Sequence, residues 1–270
     1  MITGGRGDAG LATGAFADRC AQAGYAQFSI YYRLAPETKL PAIVEDMQDA
    51  LAWIRTEGPR RWHIDPARLA VIGRSAGGYL ALMAGLRVEP RPRALVSFFG
   101  YGDITGAWYS QPDAFYRQAP LVTRAETLAA VGMTRISELP PGHARRTFYL
   151  YCRQQGLWPR EVMGLDPTAH PRAFDPYCPI RNVDARYPPT LLLHGDADTD
   201  VPYQQSVDMA GALRRHGTPH QLVTIPGGPH GFDRQVTAAD LASSAPTPAA
   251  QSFHTVLAFL TRWVGRSSDP

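Results

Sequence analysis

Three segments of this 270-residue chain carry side chains that together can do nucleophilic chemistry. Gly73-Arg74-Ser75-Ala76-Gly77 sets a serine among small residues, just after the apolar run Leu69–Ile72 and just before Tyr79-Leu80-Ala81-Leu82. A serine at so tight a strand-to-helix turn is presented outward, and the amides of the helix N-terminus point at charge developing beside it. The bland alternative is a Gly-rich turn with no chemistry. A serine hydroxyl needs a base, and the base needs an orienting carboxylate. "LLLHGDADTDVP" offers Asp196, Asp198 and Asp200 after a second apolar run, and "TIPGGPHGF" offers His230 after a third. The order Ser, Asp, His suits loops that meet at one edge of a parallel sheet. His194 precedes the acids at a strand end and reads as structural; His216, His220 and His254 read as surface residues.

The elements around these residues repeat a simple rhythm. Ala26–Tyr31 reads as a buried strand, ended by a turn before Pro36. Ile43, Met47, Leu51 and Ile54 recur at helical spacing, with Gly58 closing the helix. "DPARLAVIG", "RALVSFFG", "PPTLLLHG" and "HQLVTIPG" read as strands; "SVDMAGALRRHG" and "SFHTVLAFLTRWV" read as helices. Gly78 lets the helix after Ser75 pack closely. Strands alternating with helices predict an α/β fold with a doubly wound, mostly parallel sheet. From residue 102 to 187 Pro, Arg and aromatics interrupt short helical pieces. That segment is expected to be an inserted cap on a core formed by 1–101 and 188–270. Its aromatics are Trp108, Tyr109, Phe115, Tyr116, Phe148, Tyr149, Tyr151 and Trp158. They form either a small local core or the wall of a pocket for an acyl or aryl group. "SSAPTPAAQ" reads as a loop and "GRSSDP" as a tail.

Composition excludes several classes. The net charge is +3 and the arginines are scattered, so no basic stripe tracks nucleic acid. No apolar run is long enough to span a membrane, and the N-terminus lacks the pattern of a signal peptide. Cys20, Cys152 and Cys178 are sparse and odd in number, as expected of free thiols in a reducing compartment, which makes the cytoplasm the default location. No CxxC or HExxH appears, so neither a metal nor a cofactor is expected.

The chain resembles α/β-hydrolases, and more narrowly the hormone-sensitive-lipase-like esterases. The resemblance rests on "YRLAPE" (Tyr32 to Glu37), "DPARLAVIGRSAGG", "HGDADTDVP" and "GGPHGF". It implies a serine hydrolase of small-molecule carboxylic esters, with Ser75 as nucleophile, Asp198 as the triad acid and His230 as the base. Asp196 is then expected to bond turn amides, and Asp200 to cap or face water. The family's H-G-G-G-x-x-x-G loop corresponds to Thr3 through Gly10, so Gly4, Gly5 and Ala76 are the expected oxyanion donors. Thr3 stands where the family has His, and Arg6 where it has a third Gly. The family also carries strands before this loop, so the sheet is expected to lack its N-terminal strands. Prolyl-oligopeptidase-type domains share the Ser-Asp-His order, which keeps a peptidase or amidase as the alternative. A catalytically impaired, hydrolase-like binding protein is the rival from another class. A homo-oligomer is compatible with the sequence.

Overall fold

Four short apolar segments pair side by side into one sheet in the computed structural model, which describes residues 15–131 and 142–265. They are β1 (Ala70–Arg74), β2 (Ala94–Phe98), β3 (Thr190–Gly195) and β4 (His220–Ile225). The order is β1-β2-β3-β4, and every pair is parallel. Strands covered on both faces read as continuous apolar runs, and β2 and β3 are buried along their whole length. Alternate residues serve opposite faces. Val71, Leu95 and Leu192 join one apolar cluster, while Ile72, Val96, Leu191 and Leu193 join the other.

The described helices are α1 (Ala15–Gln22), α2 (Leu40–Trp62), α3 (Ala76–Arg87), α4 (Ala107–Ser110), α5 (Arg124–Ala130), α6 (Gly142–Gln155), α7 (Trp158–Met163), α8 (Pro171–Phe174), α9 (Pro179–Asn182), α10 (Gln204–Arg215), α11 (Ala238–Ala242) and α12 (Pro248–Trp263). On the first face α2 and α3 supply Ile43, Met47, Leu51, Leu80 and Met83. On the second, Phe253, Val256, Phe259 and Leu260 of α12 meet Phe16 and Cys20 of α1. Each such side chain, once removed from water, contributes about 1.5–3 kcal/mol before the cost of ordering it. Between β2 and β3 the described residues hold α4 through α9 and no strand. This stretch is tied to the segment before α2. Lys39 donates to the Glu161 carbonyl at 2.7 Å, and Arg145 donates to the Ala35 carbonyl at 2.8 Å and to Glu37 at 2.9 Å. The three cysteines are buried and unpaired; burial pushes the Cys20 and Cys178 thiols up to about 12.

Two local expectations are corrected. Ala26–Tyr31 is not a strand: only Ile30 makes a bridge. Strand character needs a ladder as well as apolar residues, and among the described residues no ladder runs along this segment; Phe28 packs edge-on against Trp62 at 5.1 Å. Gly58 does not close α2, which continues through Pro59 to Trp62 and ends at His63 in the left-handed region, φ 52°. Gly58 serves packing, since a Cβ there would lie 2.4 Å from Ile64 Cδ1.

The turn after β1 depends on a missing side chain. A Cβ on Gly73 would lie 1.9 Å from the Gly77 carbonyl oxygen, a backbone atom that cannot swing away. Gly73→Ala is therefore expected to destabilise the fold by about 1–3 kcal/mol and lower the thermal midpoint by roughly 2–10 °C. Calorimetry checks this, and an unchanged midpoint refutes the steric role.

Candidate active site

Ser75 sits between β1 and α3 with φ 54° and ψ −121°, a conformation that side chains other than glycine rarely adopt. The surroundings hold it there. Its amide donates to the Phe98 carbonyl at 2.9 Å. A Cβ on Gly78 would meet the Gly100 Cα and the Ser97 hydroxyl at 2.9 Å, so α3 can enter this close to β2 only without one. Ala76 opens α3, and amides of a first helical turn have no intrahelical acceptor.

The loops after β3 and β4 touch each other. A Cβ on Gly195 would lie 2.0 Å from the Gly228 carbonyl oxygen. Asp196 accepts the Gly227 amide at 2.6 Å, the turn-bonding role expected of it. Asp198 is fully buried. Its Oδ1 accepts the amides of Asp200 at 2.8 Å and Val201 at 2.9 Å, and its Oδ2 accepts His230 Nδ1–H at 2.7 Å. A carboxylate can only accept, so the proton sits on Nδ1, and Nε2 is left to accept the Ser75 hydroxyl at 3.1 Å. Ser75, Asp198 and His230 thus form one hydrogen-bonded chain across loops that follow β1, β3 and β4. The His230 ring lies edge-on to Phe99, 4.6 Å between centroids, and Phe99 itself has φ 37°.

Burial acts to raise the Asp198 carboxyl, but the hydrogen bonds from His194 and His230 outweigh it and hold the group well below the usual carboxylate range. His194, read from sequence as structural, is buried. Its Nε2–H donates to the Val201 carbonyl at 2.9 Å and lies 3.3 Å from Asp198 Oδ2, while its Nδ1 accepts the Ser206 hydroxyl at 2.7 Å.

Asp200 does not cap or simply face water. Its Oδ1 accepts the Tyr149 hydroxyl and Arg153 Nη1, the latter at 2.8 Å, and its Oδ2 lies 3.4 Å from His230 Nε2. Arg153 also grips Asp113 at 2.5 Å. No motif points to Arg153, one of three arginines of α6, and nothing in its immediate neighbours signals burial. Arg74, between the glycine and the serine, lies 2.6 Å from the buried Asp233, an ion pair whose atoms are not aligned for a hydrogen bond. It joins the serine turn to the stretch just past His230.

A cavity of about 270 Å³ opens in front of Ser75 and His230, walled by Tyr109, Tyr116, Phe148, Tyr149 and Trp158. These five of the expected aromatics come together. Trp108 stacks on Tyr109, Phe115 is exposed and Tyr151 lies outside the wall. A smaller apolar recess of about 60 Å³ adjoins it, sharing Ala35, Ala76 and Trp158. A larger cavity of about 350 Å³ lies along β1, beside Tyr25, Phe28 and Trp62, and contains none of the three residues. Gly4 and Gly5 lie outside the described residues. Among the described residues no cluster of His, Cys, Asp and Glu could hold a metal ion, and no helix is long and apolar enough to cross a membrane.

The sequence pattern of the BD-FAE family matches residues 5–213. The chain belongs to that family. Its architecture is that of α/β-hydrolases, in line with the esterase resemblance. His230 lies beyond the matched residues. The chain is 26% identical to the non-reducing polyketide synthase ausA of Aspergillus calidoustus over an alignment that covers 87% of the chain and 12% of that protein. It is 29% identical to esterase LipC of Mycobacterium tuberculosis, covering 80% of the chain and 47% of LipC. The chain therefore spans about a tenth of the synthase and about half of the esterase. A solved protein of unknown function from Staphylococcus aureus Mu50 is similar in fold, with TM-score 0.72, 22% identity, and coverage of 97% of this chain and 88% of that one.

The depressed Asp198 carboxyl has a consequence for stability. A carboxylate held below its unfolded value of about 3.9 stabilises the fold above that pH, and the contribution is lost as pH falls through the folded value. Asp198→Asn is expected to be less stable than wild type near neutral pH, with the gap narrowing below pH ~3.9. Urea unfolding of both proteins at several pH values tests this; a gap that does not change with pH refutes it.

Proposed function

We propose that the chain is a serine hydrolase that cleaves carboxylic esters of small molecules through an acyl-enzyme. The observation that carries this reading is the hydrogen-bonded chain from Ser75 Oγ through His230 to Asp198. His230 Nε2 takes the serine proton as Oγ attacks the ester carbonyl. Asp198 keeps the imidazole in the Nδ1–H form and offsets the charge it gains. The Ala76 amide, at the start of α3, is one donor to the oxyanion; Gly4 and Gly5 are the others. His230 then protonates the leaving alcohol, and water repeats the sequence on the acyl group. The adjoining recess beneath Ala76, lined by Leu34, Leu40, Ile43 and Ile104, suits an apolar acyl group. Residues 102–187 act as a cap, and Tyr109, Tyr116 and Tyr149 from it wall the cavity. The kinship to a protein named an esterase supports ester over other acyl substrates. The cytoplasm is the proposed location.

A fluorophosphonate probe and p-nitrophenyl acetate test the reading together. Wild type should be labelled at Ser75, and Ser75→Ala should lose labelling while turnover falls by about 10⁴-fold or more. His230→Ala should cost a similar factor, and the Ser75/His230 double variant little more, because the two act as a unit. Turnover by Ser75→Ala near the wild-type rate refutes the mechanism.

A further inference from the structure

A second carboxylate stands beside the proton-carrying nitrogen of His230, and it is not the one that orients the ring. Asp200 Oδ2 lies 3.4 Å from Nε2, on the side where Ser75 Oγ lies at 3.1 Å. Its other oxygen is tied down. Oδ1 accepts from the Tyr149 hydroxyl and from Arg153, the Tyr116 hydroxyl is a further hydrogen-bond partner of the carboxylate, and Arg153 also donates to the Asp200 carbonyl at 2.8 Å. Arg153 is 1% exposed and is braced by Asp113 and by the ring faces of Tyr116 and Tyr109, 4.6 and 5.0 Å from its guanidinium carbon. A buried cation held on several sides pins the carboxylate it bonds. Asp200 keeps 13% exposure and lines the cavity in front of Ser75.

We propose that Asp200 Oδ2 accepts a hydrogen bond from the leaving group, and that it selects esters of alcohols carrying a second hydroxyl on the neighbouring carbon. This rests on the serine-esterase reading above. In that reaction Nε2 hands its proton to the scissile oxygen, which must lie within hydrogen-bond reach of Nε2. The same place lies beside Asp200 Oδ2. The two oxygens of a gauche vicinal diol stand about a hydrogen bond's length apart. A neighbouring hydroxyl therefore reaches Oδ2 while the scissile oxygen stays on Nε2. A neutral donor fits better than an ammonium, because Arg153 already offsets the Asp200 charge and Arg234 lines the same cavity.

The test compares 2-hydroxyethyl acetate with 2-methoxyethyl acetate, which has a similar electron-withdrawing oxygen but no donor. Wild type should favour the hydroxyethyl ester in kcat/KM by about ten- to hundredfold, the range of a hydrogen bond to a charged group. Asp200→Asn should bring the ratio to within about threefold. Tyr149 and Arg153 both donate to Oδ1, so the asparagine oxygen takes that place and its NH₂ replaces the Oδ2 acceptor with a donor. The ratio is taken within one sample, so any unfolded fraction cancels. A wild-type ratio near one overturns the proposal, as does a preference that survives Asp200→Asn. An equal loss on both esters in Asp200→Asn, with the ratio intact, overturns it too, because Asp200 then only supports His230 or the fold. If wild type turns over p-nitrophenyl acetate but neither test ester, the proposal alone falls. If wild type is neither labelled at Ser75 nor active on any ester, the esterase reading falls with it.

Discussion

A carboxylate cut off from water lies at the centre of this structure, and much of the site follows from satisfying it. An unpaired charge in the Asp198 position would cost far more than a folded domain of this size can absorb. The chain surrounds it with donors from three directions: the amides of Asp200 and Val201, the His194 ring and the His230 ring. The amide bonds shape the loop after β3. The His230 bond sets which imidazole nitrogen faces Ser75. Because one of the donors is the Asp200 amide, satisfying Asp198 also helps set where the Asp200 side chain begins.

The same constraint, with the sign reversed, governs the segment between β2 and β3. Arg153 is almost wholly enclosed, yet it is balanced by Asp113 within that segment and by Asp200 in the loop after β3. Removing one partner from such a group is far costlier than the net worth of the pair, because it strands the other charge. The short helices of this stretch are thereby registered against the sheet's loops by charge as well as by apolar contact. Arg145 adds a second tie, to the segment before α2.

Backbone strain gathers at the same edge. Ser75 and Phe99 both have positive φ, at the ends of neighbouring strands, and both lie against His230. Strained residues persist only where their surroundings over-determine them. Here the close contacts of Gly73 and Gly78 do that for the serine. Phe99 is held by the bond from its amide to the Leu193 carbonyl at 2.7 Å.

Residues whose role is dictated by their immediate neighbours were readable from sequence. The turn around Ser75 announces itself because crowding there demands glycine within two or three positions. The sheet strands and the helices α3, α10 and α12 were readable because burial imprints a local period. One loop offers three aspartates as the acid, and the family resemblance, not spacing, singles out Asp198 among them. Other features depended on partners far along the chain. Ala26–Tyr31 has the composition of a strand, but among the described residues only Ile30 makes a bridge. Gly58 has the look of a helix end but lies inside α2, close against the Ile64 side chain. Arg153 and Asp200 are 47 positions apart, and neither neighbourhood signals a buried ion pair. The order and types of the residues alone show which side chains could do the chemistry, because those needs are local. The assembled fold alone places Asp200 beside the histidine's other nitrogen and Arg153 behind that carboxylate, because burial and charge compensation are properties of the surroundings.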